Sequence, residues 1–306
     1  MTKHVVVLMG GRSVEREISL KSGAFCCAVL RNLPYTVTPL DVGHDVAERL
    51  AALKPDVALN MLHGRYGEDG SIQGILEFLQ IPYTHSGVLT SALAMHKGYA
   101  RIVLNAAGIP VAPGHMVSRH EARLRHILPP PYVIKPLNEG SSIGIFSVHP
   151  GDNPPYEQLG DDAWPYGDHI LVEAYIPGRE FTCGVMGDRA LDVIEIKTSG
   201  RALYDFQAKY KENLHIFPPE IKPDLYKHIQ ELTLRAHQAL GCRGVTRSDF
   251  RWDDSQKESL KGLVCLELNT QPGMTEQSLV PDLVGYAGYS LEEFLQWIIE
   301  DASCNR

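Results

Sequence analysis

The sequence has no apolar run that approaches the roughly 20 residues of a membrane-spanning helix. Its opening residues, MTKHVVVLMGG, have the pattern of a strand entering a glycine turn, and they lack the longer apolar segment and cleavage site of a signal peptide. None of the six cysteines is spaced as CxxC, so we expect buried free thiols rather than disulfides. Together these absences predict a cytoplasmic protein.

Clustered positive charge is also missing. The chain has 29 lysines and arginines against 37 aspartates and glutamates, whereas nucleic-acid-binding surfaces are usually basic. The 13 histidines show no HExxH spacing, which argues against a zinc site. Neither GxxxxGKS/T nor a GxGxxG that follows a strand occurs, which excludes the two common glycine-rich phosphate loops. We therefore expect no nucleic-acid partner and no membrane attachment.

The residues that are present favour an α/β fold. A length of 306 residues suffices for about two domains of ordinary size, or for three small ones. Near the start, β-branched runs alternate with helical patterns, which predicts a parallel sheet. The predicted strands cover residues 4–9, 35–42 and 56–62, and the predicted helices cover 46–53 and a segment that Ser13 caps and that ends near Leu30.

Two residues occupy the edge of this predicted sheet where α/β proteins place their sites, beyond the carboxyl ends of the strands. Glu15 follows the first strand and His63 follows the third. A lone glutamate in the first turn of a helix usually stabilises the helix dipole, which contributes about 0.3–1 kcal/mol. Position alone therefore favours a structural role for Glu15.

The middle of the chain predicts one long helix and then two strands around a glycine-rich loop. The helical pattern covers 88–107, and a domain boundary is predicted near 91–97. Strands at 132–135 and 145–148 flank the loop PLNEGSSIG, whose backbone amides suit phosphate groups while Lys135 supplies a positive charge. Alone this signal is weak, because Gly-Ser hairpin loops are common.

The second half of the chain predicts mostly strands. Glu173 lies inside an apolar strand, where a carboxylate needs a partner or a ligand. Residues 198–217 interleave aromatic side chains with lysines and predict an ordered functional loop, whereas the excursion 152–168 has no readable role. The predicted strands are 170–176, 181–186 and 191–197, and the predicted helices are 223–240, ended by Gly241, and one that opens with the capping box Ser290 and Glu293.

The stretch VCLELNTQPGMT predicts a site at a strand end. Strict alternation puts Val264, Leu266 and Leu268 on one face and leaves Glu267 and Asn269 together on the other. Carboxylate and amide oxygens at such an edge suit magnesium, which takes few protein ligands. The alternative is a solvated strand end without a ligand.

A preceding strand, predicted at 245–252, strengthens the metal interpretation. A hairpin between the two strands puts Asp249 opposite Glu267, with Cβ atoms about 5 Å apart. Facing carboxylates destabilise a sheet unless a cation lies between them. Arg247 lies on the same face as Asp249, where an arginine stabilises phosphoryl oxygens during transfer.

Six motifs, in order along the chain, resemble those of the D-alanine–D-alanine ligases of the ATP-grasp superfamily. They are GGRSVEREISL (10–20), HGRYGEDGSIQG (63–74), KPLNEGSSIG (135–144), YDFQAKY (204–210), RSDF (247–250) and LELNTQPGMTEQSLVP (266–281). The resemblance implies an α/β fold, α+β in parts, with a three-domain ATP-grasp architecture. Its domains would be an N-terminal Rossmann-like parallel-sheet domain over 1–94, an ATP-grasp lid subdomain over 95–177 and a C-terminal ATP-grasp subdomain over 178–306.

The resemblance also implies the reaction, the ATP-dependent joining of two D-alanines through an acylphosphate for peptidoglycan synthesis. ATP and two Mg²⁺ or Mn²⁺ ions would be required, and a homodimer is expected. The implied metal ligands are Asp249, Glu267 and Asn269. The implied ATP-binding residues are Lys97, Lys135, Glu173, Ala174, Ile176 and Glu180.

By the same resemblance, the remaining motif residues bind the two amino acids. Glu15, Ser141 and Tyr210 would form a hydrogen-bonded catalytic set, to which Arg247 is added as a stabiliser of the phosphoryl group. The implied substrate-binding residues are Glu15, His63, Lys209, Arg247, Gly273, Ser278 and Leu279. The pair Lys209-Tyr210 favours the dipeptide over a D-lactate ester; the alternatives are a ligase for another acceptor and a non-catalytic nucleotide-binding regulator.

Overall fold

The computed structural model describes residues 2–197, 215–256 and 260–305. Its first sheet is parallel, with the strand order β2-β1-β3, and helices follow its strands. The elements are β1 (Lys3–Met9), α1 (Arg16–Leu30), β2 (Tyr35–Asp41), α2 (Val46–Leu53), β3 (Val57–Asn60) and α3 (Ser71–Phe78). Alternate residues of β1 enter two cores, because both faces of the sheet are covered. The predicted β/α alternation is confirmed.

The start of α1 differs from the prediction. The helix begins at Arg16 with Glu15 at the cap position, so Ser13 does not cap it. Instead, the Ser13 hydroxyl donates to the carbonyl oxygen of His63 (2.6 Å) and accepts from the backbone N–H of Glu15 (3.1 Å). Ser13 therefore ties together the two loops that follow β1 and β3.

The predicted helix over 88–107 is two helices, α4 (Val88–Met95) and α5 (Lys97–Ala106). His96 separates them because its backbone is extended, with ψ of 93°. Its ring nitrogen accepts from the backbone N–H of Tyr99 (3.2 Å) and so caps α5. The prediction of a single helix was wrong because apolar periodicity continues across the break.

The second sheet is antiparallel, with the strand order β4-β7-β5-β6. Its elements are β4 (Gly114–Ser118), α6 (Arg119–Leu124), β5 (Tyr132–Pro136), β6 (Phe146–Val148) and β7 (His169–Ala174). Arg119 anchors the excursion 152–168, since its guanidinium contacts Asp161 (2.6 Å), Asp168 (3.2 Å) and the carbonyl oxygen of Leu159 (2.8 Å). The excursion thus covers one side of this sheet, with Leu159 and Trp164 buried in its core.

The third sheet is also antiparallel, with the strand order β10-β9-β8-β11-β12. Its strands are β8 (Arg179–Met186), β9 (Arg189–Ile196), β10 (His215–Ile216), β11 (Val245–Trp252) and β12 (Leu263–Asn269), and its helices are α7 (Pro223–Ala239), α8 (Leu279–Tyr286) and α9 (Leu291–Glu300). The predicted capping box of α9 is confirmed, with Ser290 and Glu293 bonding each other's backbone. Within the described ranges, no helix combines the length and apolarity that a membrane crossing requires.

The first and third sheets share a core. Val5 and Val7 of β1 belong to the same buried cluster as Leu283 of α8 and Phe294 of α9. The C-terminal residues extend this contact, because Ser303 forms a β-bridge with Tyr83. This packing places the carboxyl ends of the β1–β3 sheet against the segment that follows β12.

Candidate active site

Two cavities adjoin at the end of β12, and Glu267 lines both of them. The first cavity lies between the first and third sheets, and the second lies between the second and third sheets. The predicted residues that line the first cavity are Glu15, His63, Lys97, Ser141, Arg247, Asn269, Gly273, Ser278 and Leu279. Those that line the second are Lys135, Glu173, Ala174, Ile176, Glu180 and Asp249. Lys209 and Tyr210, with the rest of the predicted loop up to residue 214, lie outside the described residues.

The β11–β12 hairpin has the predicted register at the site. Asp249 is the Cα partner of Glu267, and Arg247 is that of Asn269. The pairing then shifts by one residue, because Phe250 pairs with Cys265 and Leu266 is left as a bulge.

The bulge overturns the predicted alternation along β12. Leu263, Cys265 and Leu268 enter the core, whereas Leu266 lines the second cavity beside Glu267. A contact on the outer edge of β12 accompanies the shift, since the backbone N–H of Cys265 donates to the carbonyl oxygen of Pro110 (2.8 Å). The bulge thus supplies an apolar wall to the second cavity.

Asp249 is held by two neighbours. The Arg247 guanidinium donates to both of its carboxylate oxygens, from Nε at 2.9 Å and from Nη2 at 2.8 Å. The Thr182 hydroxyl donates to Oδ1 at 2.7 Å from the neighbouring strand β8. All three side chains are buried, so the orientation of the carboxylate is fixed.

Glu267 is paired with Lys97, the first residue of α5. Lys97 Nζ lies 3.2 Å from Glu267 Oε2 and donates to the carbonyl oxygen of Glu139 (2.7 Å). The backbone N–H of Lys97 donates to the carbonyl oxygen of Leu137 (2.8 Å). Lys97 therefore connects the glycine-rich loop to the end of β12.

The oxygen donors at this edge fit magnesium by their chemistry. Asp249 and Glu267 face each other as carboxylates, and Asn269 adds an amide oxygen that accepts from the backbone N–H of Gln271 (2.9 Å). Among the described residues, no group of three or more His, Cys, Asp or Glu side chains is placed to hold a metal ion. One or two carboxylates suffice for Mg²⁺, because waters and substrate phosphates complete its octahedron.

The second cavity has a charged floor and apolar walls. Lys135 Nζ lies 2.6 Å from Glu173 Oε2, and Arg101 Nε lies 3.4 Å from Glu173 Oε1. Burial lowers the pKa of Lys135, but the charge and hydrogen bond of Glu173, together with the charges of Glu267 and Glu180, outweigh burial, so this pKa is raised. Arg251 lies 3.6 Å from Glu180. Cations thus surround both predicted nucleotide-binding carboxylates.

The glycine-rich loop reaches the first sheet through Ser141. Its hydroxyl donates to Glu15 Oε1, and both residues line the first cavity. Ser141 and Ser142 have positive φ, 49° and 59°, a conformation that serine rarely adopts. A Cβ on Gly140 would lie 3.0 Å from Glu15 Oε2, so glycine permits this close approach.

The opposite wall of the first cavity combines a histidine with a helix N-terminus. His63 Nε2 lies 3.1 Å from the Ser22 hydroxyl, and Nδ1 lies 3.8 Å from Glu68. Ser278 stands at the cap position of α8, and its hydroxyl accepts from the backbone N–H of Thr275 (2.9 Å). Backbone N–H groups at the start of a helix suit a carboxylate.

Three residues of the site were missed from the sequence. Arg101 lies four residues after Lys97, a helical spacing that puts both on one face of α5 and could have indicated it. Thr182 reaches Asp249 only through the register of β8 against β11. Gln271 bonds to Asn60 of the first sheet, a contact that no local pattern indicates.

Comparisons with known proteins agree with this geometry. A family model described as "D-ala D-ala ligase C-terminus" matches residues 103–300, and one described as "D-ala D-ala ligase N-terminus" matches residues 45–86. The chain is 58% identical to the D-alanine–D-alanine ligase of Beijerinckia indica and 57% identical to that of Xanthobacter autotrophicus, with full coverage of both proteins in each comparison.

Solved structures give the same result. The chain resembles the crystal structure of a D-alanine–D-alanine ligase from Bacillus anthracis complexed with ATP, with a TM-score of 0.81 and 27% identity over 98% of this chain and 97% of that one. A second structure of the B. anthracis enzyme gives a TM-score of 0.82 at 29% identity. The predicted ATP-grasp fold is thereby confirmed, and the chain belongs to the D-alanine–D-alanine ligase family.

Proposed function

We propose that the protein joins two D-alanines to D-alanyl-D-alanine, with cleavage of ATP to ADP and phosphate, as a step in peptidoglycan precursor synthesis. The observation that carries this proposal is the position of Glu267, which lines both cavities. A nucleotide in the second cavity and an amino acid in the first would meet at this carboxylate. The relatives named D-alanine–D-alanine ligase support the choice of substrate.

ATP occupies the second cavity in this proposal. Ala174, Ile176 and Leu266 provide apolar surface for the adenine, while Glu173 and Glu180 face its amino group and the ribose hydroxyls. Lys135 and Lys97 lie toward the phosphates. The B. anthracis ligase of the same fold, solved with ATP, supports this placement.

Asp249, Glu267 and Asn269 would hold two Mg²⁺ or Mn²⁺ ions at this edge. Bound there, the ions would neutralise charge that develops as the phosphoryl group moves between oxygens. Arg247 orients Asp249 through its bidentate contact and adds positive charge on the same side. The support for this assignment is the facing pair of carboxylates at the junction of the cavities.

The two amino acids occupy the first cavity. Glu15 holds the ammonium of the first D-alanine and His63 lies beside its carboxylate, whose oxygen attacks the γ-phosphorus and releases ADP. The amine of the second D-alanine then attacks the carbonyl carbon, phosphate leaves, and the nitrogen loses a proton.

The remaining residues of the first cavity bind the reacting groups of the substrates. Gly273 donates from its backbone to the carbonyl oxygen, and Ser278 with Leu279 binds the carboxylate of the second D-alanine. Lys209 and Tyr210 belong to this proposal through their motif.

Three further assignments complete the proposal. The domains 1–94, 95–177 and 178–306 are supported by the three sheets, each of which takes its strands from one segment. A cytoplasmic location is supported by the free cysteines, of which Cys26, Cys27, Cys183, Cys242 and Cys265 are buried. The homodimer stays a prediction that sedimentation analysis tests.

Phosphate release in the presence of ATP and Mg²⁺ tests the function. We expect turnover with D-alanine and none with L-alanine. A mixture of D-alanine and D-lactate should yield the dipeptide rather than the ester. Absence of D-alanine-dependent phosphate release would contradict the proposal, and a preference for D-lactate would support the alternative acceptor.

A further inference from the structure

A buried pair of amides joins the first sheet to the segment that follows β12. Asn60, the last residue of β3, donates from Nδ2 to Gln271 Oε1 at 2.6 Å. Gln271 Nε2 in turn donates to the carbonyl oxygen of Leu62. Both side chains are almost fully buried, with 0% and 1% exposure, so these bonds do not compete with water.

The partners fix the orientation of both amides. A backbone carbonyl oxygen only accepts, so Gln271 must present its NH₂ group to Leu62 and its oxygen to Asn60. Asn60 must then present its own NH₂ group, which also donates to the carbonyl oxygen of Gly67 (3.1 Å). Its oxygen accepts from the backbone N–H of Leu62 (3.1 Å). A flip of either amide would place like atoms against each other.

Gln271 contacts the neighbours of two proposed site residues. Its side chain binds the carbonyl oxygen of Leu62, which immediately precedes His63. Its backbone N–H donates to Asn269 Oδ1 at 2.9 Å. One residue therefore links the proposed first-substrate side of the cavity to the proposed metal edge.

We propose that Gln271 is a positioning residue that sets the distance between the His63 loop and the Asn269 edge. It acts through Leu62 and Asn269 and touches no reacting atom. This inference rests on the proposed function, because it concerns the alignment of a substrate carboxylate with the phosphate-bearing edge. Such alignment has to be held within about 0.5 Å to be productive.

The variant Gln271→Met tests the inference, because methionine has a similar length and makes neither hydrogen bond. We expect the KM for D-alanine to rise about tenfold. The Kd for Mn²⁺ in the presence of ADP, measured by electron paramagnetic resonance of free Mn²⁺, should rise by a similar factor. The KM for ATP should change by less than about twofold, since residues 269–273 do not line the second cavity.

Gln73→Met is the matched control. Gln73 is also 1% exposed, and its Nε2 donates to the carbonyl oxygen of Gly67 (2.8 Å), within the same buried layer. We expect the Tm of Gln73→Met to fall about as far as that of Gln271→Met, whereas its Mn²⁺ binding should be unchanged. Gln271→Asn is the second variant if Gln271→Met does not fold, because its shorter side chain does not reach both partners.

Unchanged Mn²⁺ binding and D-alanine KM in a folded Gln271 variant would overturn the inference. So would an equal rise of all three constants in the Gln271 and Gln73 variants, which would show a structural role only. A wild-type protein without D-alanine-dependent turnover would contradict the proposed function instead. The Mn²⁺–ADP titration would then still decide whether Gln271 positions the metal edge.

Discussion

Asp249 and Glu267 face each other across adjacent antiparallel strands, and each carboxylate has a cation of its own. Arg247 lies 2.8 Å from Asp249, and Lys97 lies 3.2 Å from Glu267. The two cations come from different parts of the chain, one from β11 itself and one from α5. This arrangement lets two negative charges remain together at the junction of the cavities, where the phosphoryl group would be transferred.

Replacement of Glu267 by glutamine should abolish activity without unfolding the protein. The change keeps the shape of the side chain but removes the charge that pairs with Lys97. We expect kcat/KM to fall by about a thousandfold or more, as for other groups that act in the transition state. Phosphate release and thermal unfolding are measured together.

Glu48→Gln on the exposed side of α2 is the control for this charge change and should leave both quantities unaltered. Near-normal turnover of Glu267→Gln would refute the metal assignment.

Thr182→Val should lower the affinity of the site for metal ions, because Thr182 orients the Asp249 carboxylate. The change preserves volume and removes the hydroxyl that donates to Asp249 Oδ1. We expect a loss of about 1 kcal/mol in the free energy of unfolding. Mn²⁺ affinity should fall about tenfold, because one of the groups that orient the carboxylate is lost.

Thr246→Val is a close match, since Thr246 is also buried in the third sheet and its hydroxyl contacts His237 Nδ1 (2.8 Å). Thr246→Val should lower the free energy of unfolding by about as much as Thr182→Val does, and it should leave the Mn²⁺ affinity unchanged. Equal effects of both variants on Mn²⁺ would show that Thr182 has no specific role.

Arg101→Met should weaken the binding of ATP and leave the binding of D-alanine unchanged. Arg101 faces Glu173 and donates to the carbonyl oxygens of Ala112 and Gly114 (2.7 Å for Gly114), so it holds one wall of the second cavity. We expect the KM for ATP to rise about tenfold with little change in the KM for D-alanine.

The control is Arg235→Met, since Arg235 also donates to a backbone carbonyl, that of Ala107 (2.6 Å). It should leave both KM values unchanged. A rise confined to the KM for D-alanine in Arg101→Met would contradict the assignment of the second cavity to ATP.

The stability of the fold should fall on mild acidification because of His237. Burial lowers the pKa of this side chain to about 4, against an ordinary value of 6.5. Between these values the unfolded chain binds a proton that the native protein does not. Unfolding therefore becomes easier as pH falls through this window, by up to about 1.4 kcal/mol per pH unit. Above pH 6.5 the contribution is constant.

Urea unfolding between pH 4 and 7 measures this slope. His237→Asn, which retains a polar atom near the Thr246 hydroxyl, should flatten it, whereas His228→Asn on the same helix should not. An unchanged slope in His237→Asn would contradict the assignment of the effect to His237.

The sequence predicted the hairpin register because two polar strand ends and one loop length determine it. Asp249 and Glu267 consequently came together as expected. The bulge at Leu266 was not predictable, because it goes with a contact between Cys265 and Pro110, about 150 residues away, that no local pattern encodes. The break at His96 was missed for a different, local reason, since apolar periodicity continues across it and a histidine is an uncommon helix cap.

The buried polar contacts were the least predictable part of the site. Ser141 and Glu15 could be paired only through the resemblance, since 126 residues separate them. Arg119 anchors the excursion 152–168, but the sequence does not indicate its partners, because they lie 40 or more residues away along the chain. Local patterns indicate which residues are polar at a strand end, whereas the tertiary packing decides what they touch.

The hydrogen bond between Asn60 and Gln271 also bears on the order of folding. It closes a loop of 211 residues, and such closures are slow because their entropy cost precedes any gain from contacts. The strands of the first sheet end at residue 60 and those of the second at residue 174, so both can pair while the chain is still being synthesised. The first cavity, beside His63, is complete only after β12 and Gln271 have been synthesised and have packed against the first sheet. A nascent chain would therefore contain the glycine-rich loop between β5 and β6 before the cavity for the amino acids is complete.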